Sequence, residues 1–239
     1  MHRVFVPPEQ IAELVRLDPS QSRHLELVLR LGPGAEVEVF DGRGSSWAAR
    51  IELAGVLRLG ARKASEPGGA DVWLAQALAK GEKLDLVVQK ATELGATRIL
   101  PLAVERSAVR LDDERAGRRT SRLRRIAQEA ARQSGRSDVP AVDAPCTLAE
   151  LAGLLRADPG RRGLLLDPEE REVRLAQAAR GASRLLLAIG PEGGFTPAER
   201  AQAAEAGFTP VSLGRRVLRT ETAGLAALAI LQHLAGDLG

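Results

Sequence analysis

The sequence predicts an α/β protein in which a small β-barrel precedes a larger domain built on a mostly parallel sheet. Short extended runs separated by turn residues fill roughly the first sixty residues. From about residue 71 onward, strand patterns alternate with helix patterns, as in parallel α/β folds. The later strands are almost continuously apolar, as in residues 185–189, which is typical of strands covered on both faces. We therefore expect a barrel over residues 1–66 and an α/β domain over residues 71–239.

The elements of the barrel follow in order along the first part of the chain. Strands are predicted at residues 3–6, 35–40, 47–53 and 56–61. One helix interrupts them, capped by Ser20 or Ser22 and ended by the Gly-Pro-Gly run at 32–34. The run 41–44 between two apolar strands predicts a hairpin. Residues 65–69 have the composition of a linker.

The second part alternates strand and helix to the end of the chain. We predict strands at 72–78, 98–102, 163–166, 185–189 and 210–213, and helices at 83–94, 118–134, 148–155, 173–179, 197–206 and 222–234. Ligands of a parallel sheet bind beyond the carboxyl ends of its strands. The loops that follow the strands are therefore where functional residues are expected.

Positive charge is concentrated in one stretch. The whole chain has 34 basic and 31 acidic residues, but residues 98–136 contain eleven arginines against five acids. On the helix at 118–134, arginines recur on one side, which is typical of a phosphate-binding face and also of an ordinary solvated face. Only four basic residues are lysines, which suits phosphate contacts or reflects genome composition or growth temperature.

The sequence lacks the usual signatures of several classes of protein. One cysteine, Cys146, offers no disulfide framework, and the chain shows no signal-peptide pattern, so the cytoplasm is expected. No apolar run approaches the roughly 20 residues of a membrane span. Three scattered histidines give no metal-ligand spacing, so no metal is expected. The phosphate-binding and dinucleotide-binding glycine motifs are also missing.

Two late loops stand out in composition. Residues 190–197 place three glycines directly after an apolar strand, where backbone can approach a ligand closely. Residues 213–223 run from the last strand into the last helix. The composition of both loops can also be explained without a ligand. Thr196 with Glu199 forms a capping-box pattern, and Thr220 or Thr222 could cap the final helix, with Arg219 paired to Glu221 or Glu192.

These loops, with motifs spread over almost the whole chain, resemble the RsmE family of 16S ribosomal RNA uracil-N3 methyltransferases, in the knotted SPOUT superfamily. The motifs that carry the resemblance are 3–5, 24–25, 28–30, 41–42, 80–81 with Lys83, 89–95, 105–107, 129–131, 133–134 with Arg136, 190–195, 213–214 and 218–223. The segment 167–170 is a minor departure, and little is carried over there.

The resemblance implies a PUA-like N-terminal barrel, a SPOUT domain with a C-terminal trefoil knot over about residues 163–239, and a homodimer. It also implies S-adenosyl-L-methionine as cofactor, bent in the knot, and 16S rRNA or the small ribosomal subunit as partner. The cofactor-binding residues expected on this basis are Leu166, Ile189, Gly190, Pro191, Glu192, Gly193, Gly194, Leu213, Gly214, Leu218, Thr220, Thr222 and Ala223.

The expected reaction is methylation of N3 of a uridine in the decoding region of 16S rRNA. N3 carries a proton that must leave, so we expect Glu221 as general base and Arg219 as the group that stabilises charge on the uracil oxygens. Each could instead be structural. The expected RNA-binding residues are Arg3, His24, Arg30, Lys80, Lys83, Arg106 and Arg136.

Two alternative functions remain open from the sequence. One is a knotted methyltransferase that acts on a ribose 2'-hydroxyl or on tRNA, which the N-terminal barrel and residues 89–95 disfavour. The other is an RNA-binding assembly factor that has kept the fold and lost the chemistry, which the intact glycines of the 190–194 loop disfavour.

Overall fold

The computed structural model describes residues 1–53, 55–63, 68–79, 81–107 and 113–239, without the side chains of 113–115. Within it the chain forms two compact units. The first comprises Met1–Pro67 and Gln128–Val139, and the second comprises Gly68–Ala127 and Pro140–Gly239. The predicted boundary between residues 66 and 71 falls partly on undescribed residues and stays a prediction. Lys80 also lies outside the described residues.

The first unit is built on a five-stranded sheet. Its elements are β1 (His2–Phe5), β2 (Leu14–Arg16), α1 (Pro19–Arg23), a π-helical turn (His24–Val28), β3 (Glu36–Phe40), β4 (Ser46–Leu53) and β5 (Val56–Lys63). The strand order is β1-β3-β4-β5-β2, with β1 parallel to β3 and the other pairs antiparallel. The β-sheet unit predicted for the N-terminal part of the chain is thus confirmed.

Alternating side chains of these strands form the core of the first unit. Val37 and Val39 of β3 and Leu57 of β5 are fully buried. Two predictions for this unit need correction. Strand β2 was not predicted, because its three residues bury only Val15 and show no periodicity. The helix is capped by the Asp18 carboxylate, which accepts from the amides of Ser20 and Gln21, and not by Ser20 or Ser22.

The second unit has a sheet covered by helices. Its elements are β6 (Asp71–Ala77), α2 (Lys83–Glu93), β7 (Arg98–Ala103), α3 (Asp113–Ser134, the last seven residues of which belong to the first unit), β8 (Ala141–Val142), β9 (Cys146–Thr147), α4 (Leu148–Arg156), β10 (Arg162–Leu166), α5 (Leu175–Ala178), β11 (Arg184–Ile189), α6 (Pro197–Glu205), β12 (Phe208–Val211) and α7 (Thr220–Leu234). The predicted strands and helices are confirmed with small shifts at their ends, except that α3 begins five residues before its predicted start at residue 118. The two-residue strands β8 and β9 were too short to predict.

All pairs of strands in this sheet are parallel, in the order β12-β10-β11-β6-β7-β8, with β9 also on β7. The mostly parallel α/β fold is thus confirmed. The register pairs Leu166 with both Ile189 and Val211, and Ile189 with Gln76. The ends of four strands therefore coincide at one edge of the sheet. The trefoil knot over about 163–239 stays a prediction.

At the opposite edge, a buried arginine ties the amino ends of the strands together. The Arg161 side chain is 1% exposed, stacks on the Trp73 ring at 3.7 Å and donates to the carbonyls of Asp71 and Leu185, at 3.0 Å each. It also pairs with the carboxylates of Asp71 and Asp158. Burial raises the pKa of Asp71, but hydrogen bonds from Arg161 and Thr97 outweigh it and hold that pKa below its usual value.

Among the described residues, no helix combines the length and the apolar character needed to cross a membrane. The same residues contain no group of three or more His, Cys, Asp or Glu side chains arranged to hold a metal ion.

We expect Arg161→Leu to lower the free energy of unfolding by about 3 kcal/mol, because it leaves the partly buried Asp71 and Asp158 with only the exposed Arg184 as charge partner. Arg184→Leu is the matched control, since Arg184 contacts the same two carboxylates from an exposed position, and it should cost less than about 1 kcal/mol. Urea unfolding at neutral pH measures both. Because the depressed pKa of Asp71 stabilises the fold above pH 3.8, the deficit should shrink as the pH falls below that value. Equal losses in the two variants would contradict this account.

Candidate functional site

A pocket lies at the carboxyl edge of the second unit's sheet, where three loops meet. The loops follow β10, β11 and β12, and the last of them leads into α7. The pocket is lined by Leu166, Asp167, Pro168, Arg171, Ile189, Gly190, Pro191, Glu192, Gly194, Ser212, Leu213, Gly214, Arg215, Arg216, Val217, Leu218, Thr220 and Ala223. The two loops singled out in the sequence therefore face each other across one cavity.

Eleven of the thirteen residues predicted to bind the cofactor line this pocket. They are Leu166, Ile189, Gly190, Pro191, Glu192, Gly194, Leu213, Gly214, Leu218, Thr220 and Ala223. Gly193 and Thr222 do not line it. The Gly193 carbonyl accepts a hydrogen bond from Arg106, and the Thr222 side chain is exposed on α7. Sequence analysis did not foresee the contribution of Arg171 and of residues 215–217 to the wall.

A hydroxyl group joins the two loops. Thr220, the first residue of α7, is 5% exposed and donates through Oγ1 to the carbonyl of Gly190 at 2.6 Å. The same oxygen accepts from Nε2 of Gln76 at 2.8 Å. One hydroxyl can do both, since it has one proton and two lone pairs. This chain of hydrogen bonds connects the end of β6, the loop after β11 and the start of α7.

Gln76 is a residue of the site that sequence reasoning missed. It is 1% exposed, and its Oε1 has no hydrogen-bond partner among the described residues. A Cβ at Gly224 would lie 2.5 Å from that oxygen, so the glycine leaves room for the glutamine side chain. Its only sequence signal was a polar residue in an otherwise apolar strand, which does not reveal a partner 144 positions away.

Glycines shape the wall of the pocket. Gly194 and Gly214 have φ values of +66° and +135°, which residues with a side chain rarely adopt, and both glycines line the pocket. At Gly190 an added Cβ would lie 3.0 Å from the Phe195 ring. Backbone atoms are therefore exposed to a ligand along this wall. The capping box of α6 is confirmed, with the Thr196 side chain accepting from Glu199 N and the Glu199 side chain accepting from Thr196 N.

Arg219 and Glu221, the predicted catalytic residues, flank Thr220, and neither of them lines the pocket. Arg219 is the exposed N-cap residue of α7, and its side chain makes no capping hydrogen bond. Glu221 does not line the pocket. Its side chain is 14% exposed, and its Oε2 lies 3.6 Å from Nζ of Lys83 and forms no hydrogen bond with any described residue. The suggested capping of α7 by Thr220 or Thr222 is wrong, because no side chain caps it.

Lys83, and not Arg219 as suggested from the sequence, is the partner of Glu192 and Glu221. Its Nζ donates to Glu192 at 2.6 Å and lies near Glu221, whereas no described carboxylate pairs with Arg219. The hydrogen bond to Glu192 raises the pKa of Lys83 and lowers that of Glu192, so both are charged near neutrality. Lys83 was predicted to contact RNA, but in the structure its ammonium group holds the first turn of α2 against the glycine-rich loop.

Two more of the predicted RNA-binding residues have internal partners. Arg3, whose side chain is 11% exposed, pairs with Glu38, stacks on Phe40 and donates to the carbonyls of Ala131 and Arg136. Arg136 pairs with Asp138. The structure therefore gives no support to a phosphate contact by Arg3, whose role is to join β1 to residues 131–137.

The other predicted RNA-binding residues are more accessible. Arg106 is exposed and donates to the Gly193 carbonyl at 2.7 Å. His24 is exposed on the π-helical turn. Arg30 is exposed and is the one non-glycine residue in the described part of the chain with a positive φ, +55°. Left-handed backbone costs an arginine about 1–2 kcal/mol. None of these positions tests RNA binding, which stays a prediction for all seven residues.

The arginine-rich face of α3 is also partly committed to the protein. Arg122 pairs with Asp85, Arg124 donates to the Val142 carbonyl at 2.9 Å, and Arg132 pairs with Glu129. The charge of this helix therefore overstates the positive surface that it offers to a polyanion.

Comparison with known proteins identifies the family. Residues 66–232 match the model of the RNA methyltransferase domain, and residues 17–55 match the RNA methyltransferase PUA domain. The chain is 36% identical to ribosomal RNA small subunit methyltransferase E of Synechocystis, over 98% of this chain and 78% of the relative.

Two solved structures are also similar. Ribosomal RNA small subunit methyltransferase E from Neisseria gonorrhoeae, bound to S-adenosyl methionine, has 34% identity and a TM-score of 0.88, covering 98% of each chain. A putative methyltransferase from Legionella pneumophila, with bound cofactor SAM, has 33% identity and a TM-score of 0.86, covering 97% of this chain and 96% of that one. On this evidence the chain belongs to the ribosomal RNA small subunit methyltransferase E family of RNA methyltransferases.

Proposed function

We propose that this protein transfers a methyl group from S-adenosyl-L-methionine to N3 of a uridine in the decoding region of 16S rRNA. The observation that carries the proposal is the single pocket formed by the glycine-rich loop after β11 and the segment entering α7, joined by the bond from Thr220 to Gly190. Similar structures from Neisseria and Legionella contain S-adenosylmethionine.

The chemical character of the pocket suits this cofactor. Ile189, Pro191 and Leu218 supply apolar surface, while Gly194 and Gly214 expose backbone groups able to bond the polar edge of an adenine or the amino-acid end. Small-molecule sites commonly combine apolar walls with a few fixed polar groups. The cofactor supplies an activated methyl group on a sulfonium, so the protein's task is to bind and orient.

The residues at the start of α7 provide the groups that the reaction needs. Uracil N3 must lose its proton, and negative charge then develops on the neighbouring carbonyl oxygens. Arg219 has no described carboxylate partner, so its guanidinium group is available to stabilise that charge. Glu221 is the proposed base, since its Oε2 has an unused lone pair. It now faces Lys83, so accepting the proton requires its side chain to turn toward the pocket.

The substrate follows from the position of the reacting atom. N3 lies on the Watson–Crick edge, so the target uridine must be unpaired or extruded from its stack. We propose 16S rRNA or the small ribosomal subunit as the partner, by analogy with the relatives' names. The reaction would then take place in the cytoplasm, and by the family resemblance the protein would act as a homodimer.

The experiment that tests this function uses methyl-labelled S-adenosylmethionine with naked 16S rRNA and, separately, with small ribosomal subunits. Nuclease digestion and mass spectrometry then identify the modified nucleoside and its position. We expect 3-methyluridine at one site of the decoding region. A methylated ribose, or labelling of tRNA in preference to 16S rRNA, would instead support the alternative enzyme.

We expect Gly214→Val to weaken S-adenosylmethionine binding at least tenfold, because it places a branched side chain with strained backbone in the pocket wall. Gly181→Val is the matched control, since Gly181 also has a positive φ, +72°, but lies outside the pocket. Calorimetric titration measures the affinity, and thermal unfolding confirms that both variants fold. An unchanged affinity for Gly214→Val would remove this segment from the site.

We expect Thr220→Val to lower cofactor affinity by about one order of magnitude, because the carbonyl of Gly190 and the amide of Gln76 both lose their partner in a buried site. Thr220→Ser keeps the hydroxyl and should bind within about twofold of the parent protein. Isothermal titration calorimetry of the two variants separates the effect of the lost hydrogen bond on cofactor affinity from the effect of the lost methyl group. Equal weakening by both substitutions would show that packing, and not the bond, matters.

We expect Arg219→Ala to retain cofactor affinity and to lose at least a hundredfold in kcat, because a charge aimed at the developing anion acts only in the transition state. Arg219→Lys should recover part of the rate. Single-turnover methylation of 16S rRNA gives the rates. Full activity of Arg219→Ala would exclude this side chain from the chemistry.

A further inference from the structure

A second pocket lies within the first unit. It opens between β1, α1 with the π-helical turn, and residues 128–132, and its volume is about 480 Å³. Small-molecule sites commonly have volumes of about 300–1,000 Å³. Arg3, Glu129 and Arg132 are the charged residues of its lining. Nothing in the proposed methyl transfer uses this cavity.

The charges around this pocket are already paired. Arg3 is bonded to Glu38, and Arg132 is bonded to Glu129. The pKa of Glu129 lies below its usual value, mainly because Arg132 donates to it, so the carboxylate is ionised near neutrality. A phosphate-binding site needs positive charge that is not neutralised, together with converging donors. The pairing of these groups therefore favours an uncharged occupant.

The uncharged side chains of the pocket are suited to binding a flat heterocyclic ring. Val4 and Leu25 form an apolar floor, 5% exposed each. Phe5 is held beside it by an edge contact with Phe40, at 5.6 Å between ring centroids, and by Gly42, where a Cβ would lie 2.8 Å from the ring. Aromatic and apolar surfaces of this kind bind bases by stacking and contact.

Two side chains that can form hydrogen bonds also line the pocket. His24 lines the pocket from the π-helical turn and Gln128 lines it from α3. No hydrogen bond to the His24 ring or to the Gln128 amide comes from any described residue. An amide offers both a donor and an acceptor, and an imidazole offers at least one N–H donor in any protonation state. The edge of an unpaired nucleobase presents the complementary groups.

We propose that this pocket binds an unpaired nucleobase of the RNA substrate, other than the base that is methylated. The proposal rests on the proposed function, because RNA is the substrate that brings bases to the protein, and a methylation target that must be unpaired is flanked by others that can unstack. Base binding here, by contacts to His24, Gln128 and the apolar floor, would fix the register of the RNA on the protein without phosphate contacts in the pocket.

The first test locates the base. A 16S rRNA transcript containing 4-thiouridine is irradiated with the full-length protein, and the cross-linked peptides are identified by mass spectrometry. We expect cross-links to the peptides that contain His24 and Gln128. Gln128→Trp, which fills the cavity, should abolish those cross-links. Cross-links that persist in the filled variant, or that map only elsewhere, would overturn the proposal.

The second test measures the consequence for the reaction. Gln128→Ala and His24→Ala should each raise the KM for 16S rRNA roughly five- to tenfold, with kcat within about twofold of the parent, since they remove a binding contact that takes no part in the chemical step. Gln10→Ala is the matched control, because Gln10 is an exposed glutamine of the same unit outside the pocket. Unchanged KM values for both pocket variants would overturn the proposal.

A third measurement separates the pocket from the proposed function. Fluorescence anisotropy with a labelled 16S rRNA transcript reports binding without turnover. Weaker binding of Gln128→Ala than of Gln10→Ala supports the pocket even if no methyl group is transferred, in which case the proposed function alone fails. Methylation by the parent protein with equal RNA binding by both variants overturns the pocket alone. Tight binding of free uridine or adenosine in the cavity would indicate a small-molecule site and also overturn it.

Discussion

The hydrogen bond from the Thr220 hydroxyl to the Gly190 carbonyl is the constraint on which the candidate site depends. It joins two loops that lie thirty residues apart in sequence, and the Gln76 amide fixes the same hydroxyl from the end of β6. The hydrogen bond between Gln76 and Thr220 is buried, because the two residues are 1% and 5% exposed. A buried polar group without a partner is costly, so the three groups hold one another in a single arrangement. The pocket walls follow from that arrangement.

The two edges of the second unit's sheet are stabilised in different ways. At the amino ends, Arg161 forms a cluster with Trp73, Asp71 and Asp158 that ties chain segments together. At the carboxyl ends, loops with exposed glycine backbone surround a cavity that apolar and polar side chains also line. Parallel strands align all their carboxyl ends at one edge, so a rigid base and an open ligand site can belong to one sheet.

Charge alone is a poor guide to how this protein would recognise RNA. Arg3, Arg122, Arg132 and Arg136 all pair with carboxylates, and Lys83 joins two glutamates beside the cofactor pocket. The exposed Arg30 and Arg106 remain suited to phosphate contacts, and the pocket between His24 and Gln128 is suited to a base. Affinity from phosphates and register from bases are separate contributions in nucleic-acid recognition. On our proposals, the two contributions come from different residues of the protein.

Local patterns in the sequence were sufficient for the α/β order, most elements, the capping box at Thr196 and the position of both ligand loops, because periodicity, glycine and cap residues act over a few neighbours. Strands β2, β8 and β9 were missed because two or three residues show no period. The family resemblance added the cofactor and the substrate. Only the tertiary structure decided that Gln76 supports Thr220, that Lys83 and not Arg219 meets Glu192 and Glu221, and that Arg3 is bonded inside its own unit. These partners are far apart in sequence, and which donor reaches which acceptor depends on how the chain packs.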